Sequence, residues 1–108
     1  MNKLIGILSL IFVSVASASA GPRAFPVPFI QKQHPRGISF RDLPASGTIK
    51  IVTVAGEEVA SLIIPQNDGA YNEWPVTNSS GKPLASGVYY FFIDGSGLQT
   101  TGKLVIIR

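Results

Sequence analysis

The sequence of 108 residues contains no cysteine and only one histidine, His34. The lack of cysteine excludes disulfides, thiolate metal sites, thiol catalysis and cysteine-linked lipid anchors. No nucleophile elbow and no metalloprotease motif accompanies His34. The polar segment around it indicates a solvated loop residue rather than a general base or a metal ligand. We therefore predict a protein without enzymatic activity, bound metal or cofactor.

Charged residues are also few, and both signs are mixed. From residue 21 onward, eight Lys and Arg residues are interspersed with six Asp and Glu residues. Phosphate binding requires cations that cluster on one face or along one element. The small positive net charge of the chain therefore does not indicate a nucleic-acid partner, and we expect none.

Apolar residues are concentrated at the N-terminus. Lys3 precedes an apolar run over Leu4–Val15, which is shorter than the roughly 20 residues that a helix needs to cross a bilayer. Ala18-Ser19-Ala20 supplies the small residues that a signal peptidase recognises, so residues 1–20 are predicted to be a signal peptide. The alternative is an uncleaved anchor. We expect an exported chain with no membrane span after cleavage, in the periplasm, at the cell surface or secreted.

The remainder of the chain shows the pattern of short strands. Apolar residues do not recur at helical spacing, and β-rich segments are bounded by turn residues. The predicted strands cover residues 38–43, 48–54, 57–64, 70–76, 87–94 and 98–107. Six or seven strands of this kind predict an antiparallel β-sandwich or barrel over residues 38–108. An extended, Pro-rich lead-in over residues 21–37 precedes it, with Phe25 and Phe29 expected to pin it to the sandwich.

Four local patterns lead to specific expectations. The segment Val88–Ile93 is apolar at every position, which predicts a central strand covered on both faces. Gly102 predicts a bulge in the last strand. Trp74 is predicted to be a core residue, with a sugar-stacking surface as the alternative. The sequence Asn78-Ser79-Ser80 fits a glycosylation site but is better explained as turn chemistry.

Five short motifs, in this order, resemble one bacterial family. They are the opening Phe25–Phe29, the strand and Leu-Pro turn at 38–44, the hairpin at 51–62, the segment 74–89 and the ending 102–108. Together they resemble the Ig-like domain of flagellar hook-capping proteins, which overlaps with the C-terminal sorting domains of the type IX secretion system. The resemblance implies a non-catalytic, Ig-like β-sandwich of seven strands. Its structural motif residues would be Phe25, Pro28, Phe29, Gly56, Trp74, Asn78, Gly81, Gly87 and Tyr89.

The sequence departs from the family at Pro75-Val76, where Asp-Gly is common, and we expect an altered turn there. Two functions remain open. The first is a structural or protein-interaction module at the bacterial cell surface, with a protein partner in the secretion or surface machinery. The second is a sorting domain recognised through its C-terminal strand, with Lys103 and Arg108 as candidate targeting residues or, alternatively, as charges that protect an edge strand. A carbohydrate-binding module is a third, less favoured hypothesis.

Overall fold

The computed structural model describes residues 21–66 and 69–108, so the predicted signal peptide lies outside the described residues. The described residues contain no helix that could cross a membrane. They form eight strands: β1 (Arg23–Phe25), β2 (Phe29–Ile30), β3 (Ile38–Arg41), β4 (Thr48–Thr53), β5 (Glu58–Ile63), β6 (Tyr71–Trp74), β7 (Gly87–Gly95) and β8 (Leu98–Ile107).

The strands form two sheets that pack face to face. A small sheet has the order β1-β3-β6, and a large sheet has the order β2-β8-β7-β4-β5. Neighbouring strands are antiparallel except β2 and β8, which are parallel. The predicted all-β, Ig-like sandwich is confirmed. The predicted count of about seven strands becomes eight because the lead-in contributes two short ones.

The lead-in over residues 21–37 supplies one strand to each sheet. Phe25 ends β1 in the small sheet, and Phe29 begins β2 in the large sheet. Residues 26–28 carry the chain from one sheet to the other, with Val27 and Pro28 exposed. Phe29 is buried in the core, whereas Phe25 is exposed and lies 5.2 Å from the guanidinium carbon of Arg41. Of the two phenylalanines expected to pin the lead-in, Phe29 is the one that enters the core.

The core is an apolar layer that both sheets fill from their inner faces. The ring of Phe40 in the small sheet meets the ring of Phe91 in the large sheet edge-on, at 5.4 Å between centroids and 78° between planes. Trp74 packs beside Phe40 at 6.3 Å. Aliphatic side chains surround these rings: Ile38, Ile49, Ile51, Ile93, Leu104 and Ile106. Edge-to-face packing of this kind adds about 0.5–1.5 kcal/mol beyond the burial of the ring surfaces.

Gly102 lies directly opposite Phe91 across the pairing of β7 with β8. The pairing runs without a register shift through this position, so the predicted bulge at Gly102 is wrong. A Cβ atom at Gly102 would overlap the ring of Phe91. Position 102 therefore requires glycine, because the Phe91 ring occupies the space that a side chain would fill. In this position the ring covers the Gly102 backbone and contacts Phe40.

The turn after Trp74 places Val76 in an uncommon backbone conformation, and the altered turn expected from Pro75-Val76 stays a prediction. Val76 adopts a φ of 60°, a left-handed conformation that costs a branched residue on the order of 1–2 kcal/mol. Its side chain is fully buried, and its carbonyl accepts a hydrogen bond from the Leu84 N–H at 3.0 Å. Burial of the side chain offsets the backbone cost, since a buried valine contributes roughly 1.5–3 kcal/mol.

Replacement of Gly102 by valine is expected to lower the free energy of unfolding by about 1–3 kcal/mol, because the Phe91 ring must leave its position. Denaturant-induced unfolding followed by Trp74 fluorescence measures this loss. Gly21→Val is the matched control, since a Cβ there meets no atom within 4 Å. Equal unfolding midpoints for the two variants would contradict this account of Gly102.

Candidate functional site

The exposed side of β7 carries three large apolar side chains. Residues Tyr89, Phe91 and Ile93 point into the core, while Val88, Tyr90 and Phe92 remain 40%, 36% and 44% exposed. The prediction that this strand is covered on both faces is wrong. The small sheet packs on one side of the large sheet, and no described residue forms a layer on the other.

Strand pairing places further apolar residues beside these three. Val105 lies opposite Val88, Val52 lies opposite Tyr90, and Ile107 follows Val105 on the same side of β8. We call this surface the outer face. It comprises Val52, Val88, Tyr90, Phe92, Val105 and Ile107. Contiguous apolar patches on a small domain mark interaction surfaces more often than single exposed residues do.

Two lysines flank the aromatic residues of the outer face. Lys103 lies opposite Tyr90, and Lys50 lies opposite Phe92. The Lys50 ammonium is 3.9 Å from a carboxylate oxygen of Glu58, whereas Lys103 forms no ion pair with a described residue. The aliphatic stems of both lysines extend the apolar area, and the ammonium group of Lys103 adds a positive charge beside Tyr90.

The polar end of the outer face opens into a shallow groove of about 340 Å³ beside Phe92. Lys50 and Asp94 line one side, and residues 99–101 of β8 line the other. This arrangement offers aromatic surface, hydroxyl groups and charges of both signs. Within the described residues, no three His, Asp or Glu side chains gather where they could hold a metal ion.

Two aromatic motif residues lie in the core. Trp74 is only 2% exposed, so its ring is not available to stack on a sugar. The hydroxyl of Tyr89 donates a hydrogen bond to the carbonyl of Ala85 at 2.8 Å. A tyrosine near the start of a strand that bonds back to the preceding loop is typical of Ig-like sandwiches.

Asn78 organises the loop between β6 and β7. Its side-chain oxygen accepts hydrogen bonds from the N–H groups of Ser80 and Lys82, both at 2.9 Å. The Gly81 N–H donates to the Asn78 carbonyl at 2.9 Å. The structure thus uses Asn78 for turn formation, and its amide group is engaged with the backbone.

The remaining glycines of the motif set also lie at strand ends. Gly56 closes the turn between β4 and β5, where its N–H donates to the Thr53 carbonyl at 2.9 Å. Gly87 begins β7 and pairs with Ile106 near the end of β8. Pro28 is exposed immediately before Phe29. None of these residues lies on the outer face.

Arg108 connects the C-terminus to the loop that precedes β7. Its guanidinium donates to the carbonyls of Leu84 and Val76 at 2.7 and 2.8 Å. Its backbone N–H donates to the hydroxyl of Ser86 at 2.8 Å, and its guanidinium carbon lies 5.8 Å from the centre of the Phe29 ring. Arg108 therefore links the end of the chain after β8, the loop before β7 and the Phe29 ring of β2.

The two candidate targeting residues differ in their surroundings. The guanidinium group of Arg108 donates hydrogen bonds to backbone carbonyls of its own domain. Lys103 projects from the middle of β8 beside Tyr90, on the outer face. Of the two, Lys103 has the charged group that another protein can reach without breaking contacts within the domain.

His34 is half-buried rather than fully solvated, so the expectation of a solvated loop histidine needs correction. Its Nδ1 accepts the backbone N–H of Ile30 at 3.0 Å, and its ring lies 6.1 Å from that of Phe29. It stabilises the turn after β2. A groove of about 400 Å³ runs beside it, between Phe25 and Glu73, on the small-sheet side of the molecule.

Comparison with known proteins gives one structural relative. The amino-acid sequence matches no protein-family profile and no curated protein. Over 85% of its length the chain is similar to part of PorZ, an essential bacterial surface component of the type IX secretion system of Porphyromonas gingivalis, with a TM-score of 0.67 and 23% sequence identity. The chain spans only 13% of PorZ.

At this level of identity, the similarity to PorZ shows a shared fold. It does not point to flagellar hook-capping proteins specifically. The PorZ segment and the present chain therefore share the sandwich.

Substitution of Arg108 by methionine is expected to lower the free energy of unfolding by about 1 kcal/mol, because two carbonyls lose a charged donor. Lys103→Met is the matched control and is expected to change it by less than about 0.5 kcal/mol, as is usual for surface positions. Thermal or urea unfolding of both variants measures the difference. A larger loss for Lys103→Met than for Arg108→Met would contradict the role assigned to Arg108.

Proposed function

We propose that the chain is an exported, non-catalytic Ig-like module that binds another protein at the bacterial cell surface. The observation that carries the proposal is the outer face, where Val88, Tyr90 and Phe92 stand exposed in the centre of the large sheet. Aromatic residues surrounded by aliphatic ones are typical of the centre of a protein interface. The positive charge of Lys103 beside Tyr90 favours a partner with an acidic group next to an apolar patch.

The structural similarity to a type IX secretion component supports a place for this module in secretion. PorZ is described as a surface component of that system, which agrees with the export that the predicted signal peptide implies. Sheet-to-sheet contact through the outer face requires no nucleophile, metal or cofactor. The proposed activity is therefore recognition of a protein surface, in the periplasm, at the cell surface or after secretion.

The alternative is a sorting domain that the type IX machinery recognises through β8. The exposed position of Lys103 on that strand favours it. Leu104 and Ile106 of the same strand are buried in the core, so deletion of the C-terminal residues would damage the fold itself. A sorting machinery would therefore have to recognise the folded domain rather than a detached C-terminal peptide.

The outer face is tested by the double variant Tyr90→Thr, Phe92→Thr. Its matched control is Phe25→Thr, Val27→Thr, since these two side chains are each 42% exposed on other parts of the molecule. A photo-cross-linking residue at Thr101 reports contact with a partner in the bacterium that encodes the chain. We expect the outer-face variant to reduce the cross-linked complex about tenfold or more, because buried interface aromatics commonly contribute over 1.4 kcal/mol.

The control variant is expected to cross-link as the unmodified chain does, and both variants should melt as single folded domains. Equal cross-linking by the two double variants would contradict the proposal that the outer face binds a partner. Loss in the control alone would place the contact on the lead-in side of the sandwich.

The sorting alternative is tested by attaching the domain to a secreted reporter. Recognition of β8 predicts that Lys103→Glu reduces surface delivery of the reporter, because the reversed charge repels an acidic receptor site. Lys32→Glu, at an exposed lead-in lysine, controls for the change in net charge. Unchanged delivery by the Lys103 variant would remove the sorting alternative and leave the interaction module.

A further inference from the structure

The edge of β8 exposes backbone hydrogen-bonding groups. β7 and β8 are joined by the two-residue turn Ser96-Gly97, whose φ angles of 52° and 77° are those of a type I′ hairpin turn. Leu98 therefore exchanges backbone hydrogen bonds with Gly95 of β7. The same holds for every second residue of β8 up to Ile106, each with its own partner on β7. The intervening residues direct their N–H and C=O groups away from β7: Gln99, Thr101, Lys103 and Val105.

β2 covers only the C-terminal end of the β8 edge. It pairs with Ile106 and Ile107. The Ile107 carbonyl accepts a hydrogen bond from the Gln31 N–H at 2.9 Å, so the backbone groups of the odd-numbered residues of β8 point away from β7. Before Phe29 the chain leaves β8 and crosses to the small sheet, where Phe25 pairs with Ser39 of β3. The parallel pairing of Phe29 with Ile106 uses the outward carbonyl of Val105. The outward groups of Gln99, Thr101 and Lys103, and the N–H of Val105, pair with no described residue.

The opposite edge of the large sheet is better protected. At β5, the Val59 carbonyl accepts hydrogen bonds from the N–H and the hydroxyl of Ser79, at 2.9 and 3.3 Å. That loop leaves only Ser61 and Ile63 with outward backbone groups in β5. The edge of β8 offers three such residues and the N–H of Val105 in one continuous row, which is enough to align an added strand.

We propose that the edge of β8 from Gln99 to Val105 binds an extended segment of another protein by strand addition, with an acidic side chain beside Lys103. The segment would continue the large sheet at the position that β2 occupies farther along. Because side chains alternate along a strand, its residues on the inner side would be apolar and those on the side of the outer face would be polar. The proposal deepens the proposed function by naming the partner's binding element.

Lys103 argues against a second copy of the chain as the occupant. Antiparallel pairing of two such edges about a two-fold axis would bring the two Lys103 side chains close together on one face. Like charges at opposite or diagonal positions destabilise strand pairing. An extended segment with a carboxylate at this position gains an attraction instead.

The probe is the blocked peptide Thr-Val-Thr-Val-Glu-Val-Thr-Val, titrated to millimolar concentration into the folded domain of residues 21–108. Exchange of backbone amide hydrogens is followed residue by residue. Strand addition predicts slowing of about tenfold or more at Thr101 and Lys103, whose amides exchange freely without the peptide. The amides of Gly102 and Leu104 bond to β7 in both states and serve as the internal control.

Thr101→Pro removes one outward N–H and is expected to weaken peptide binding about tenfold, while Thr101→Ala retains the N–H and binds normally. Lys103→Glu is expected to raise the dissociation constant about two- to fivefold. A peptide with lysine in place of glutamate should restore the affinity of the Lys103→Glu variant. This exchange of charges decides the question even where Thr101→Pro fails to fold.

No protection of Thr101 and Lys103 at millimolar peptide would overturn the proposal. So would protection that Thr101→Pro and the exchanged charges leave unchanged. Protection that grows with protein concentration in the absence of peptide would replace the extended segment by a second copy. A negative peptide result with intact cross-linking at the outer face would overturn strand addition alone and leave the proposed function standing.

Discussion

The contact between Phe40 and Phe91 is the constraint on which the rest of the sandwich depends. The sequence has no cysteine, so no disulfide joins the two sheets. The two rings meet across the interior at 5.4 Å, and Phe91 can reach this position only because Gly102 on the neighbouring strand has no side chain. Three residues on β3, β7 and β8 thus determine how the sheets approach one another.

This packing leaves one side of the large sheet without a second layer. The small sheet has three strands and the large sheet five, and all of the core lies between them. β7 contributes to both sides, with Phe91 in the core and Phe92 on the outer face. The same strand therefore stabilises the fold and presents the surface that we propose for a partner.

The sequence was sufficient to predict the strands that have a clear period. The β-branched residues of β4 and the turn at Gly56 indicate the hairpin correctly, and the apolar run of β7 indicates a central strand, which lies between β8 and β4. The same run predicted cover on both faces, and this was wrong. An apolar pattern reports which side chains avoid water, but it does not distinguish a second sheet from a binding partner.

Other features depend on contacts that no local pattern contains. β1 and β2 have three and two residues, too few for a period, and prolines separate them. The hydrogen bonds of Arg108 to the carbonyls of Val76 and Leu84 form only after the loop before β7 has folded against the C-terminus. The free edge of β8 likewise follows from the place where β2 begins to pair with it, and this place depends on the register of the two strands.

A double-mutant cycle at Phe40 and Phe91 tests the central claim most directly. The free energy of unfolding is measured for the unmodified domain, Phe40→Leu, Phe91→Leu and the double variant. Direct edge-to-face packing between the sheets predicts a coupling of about 0.5–1.5 kcal/mol, so that the double variant loses less than the two single losses together. Losses that add within about 0.3 kcal/mol would show that the rings act independently and would contradict the account.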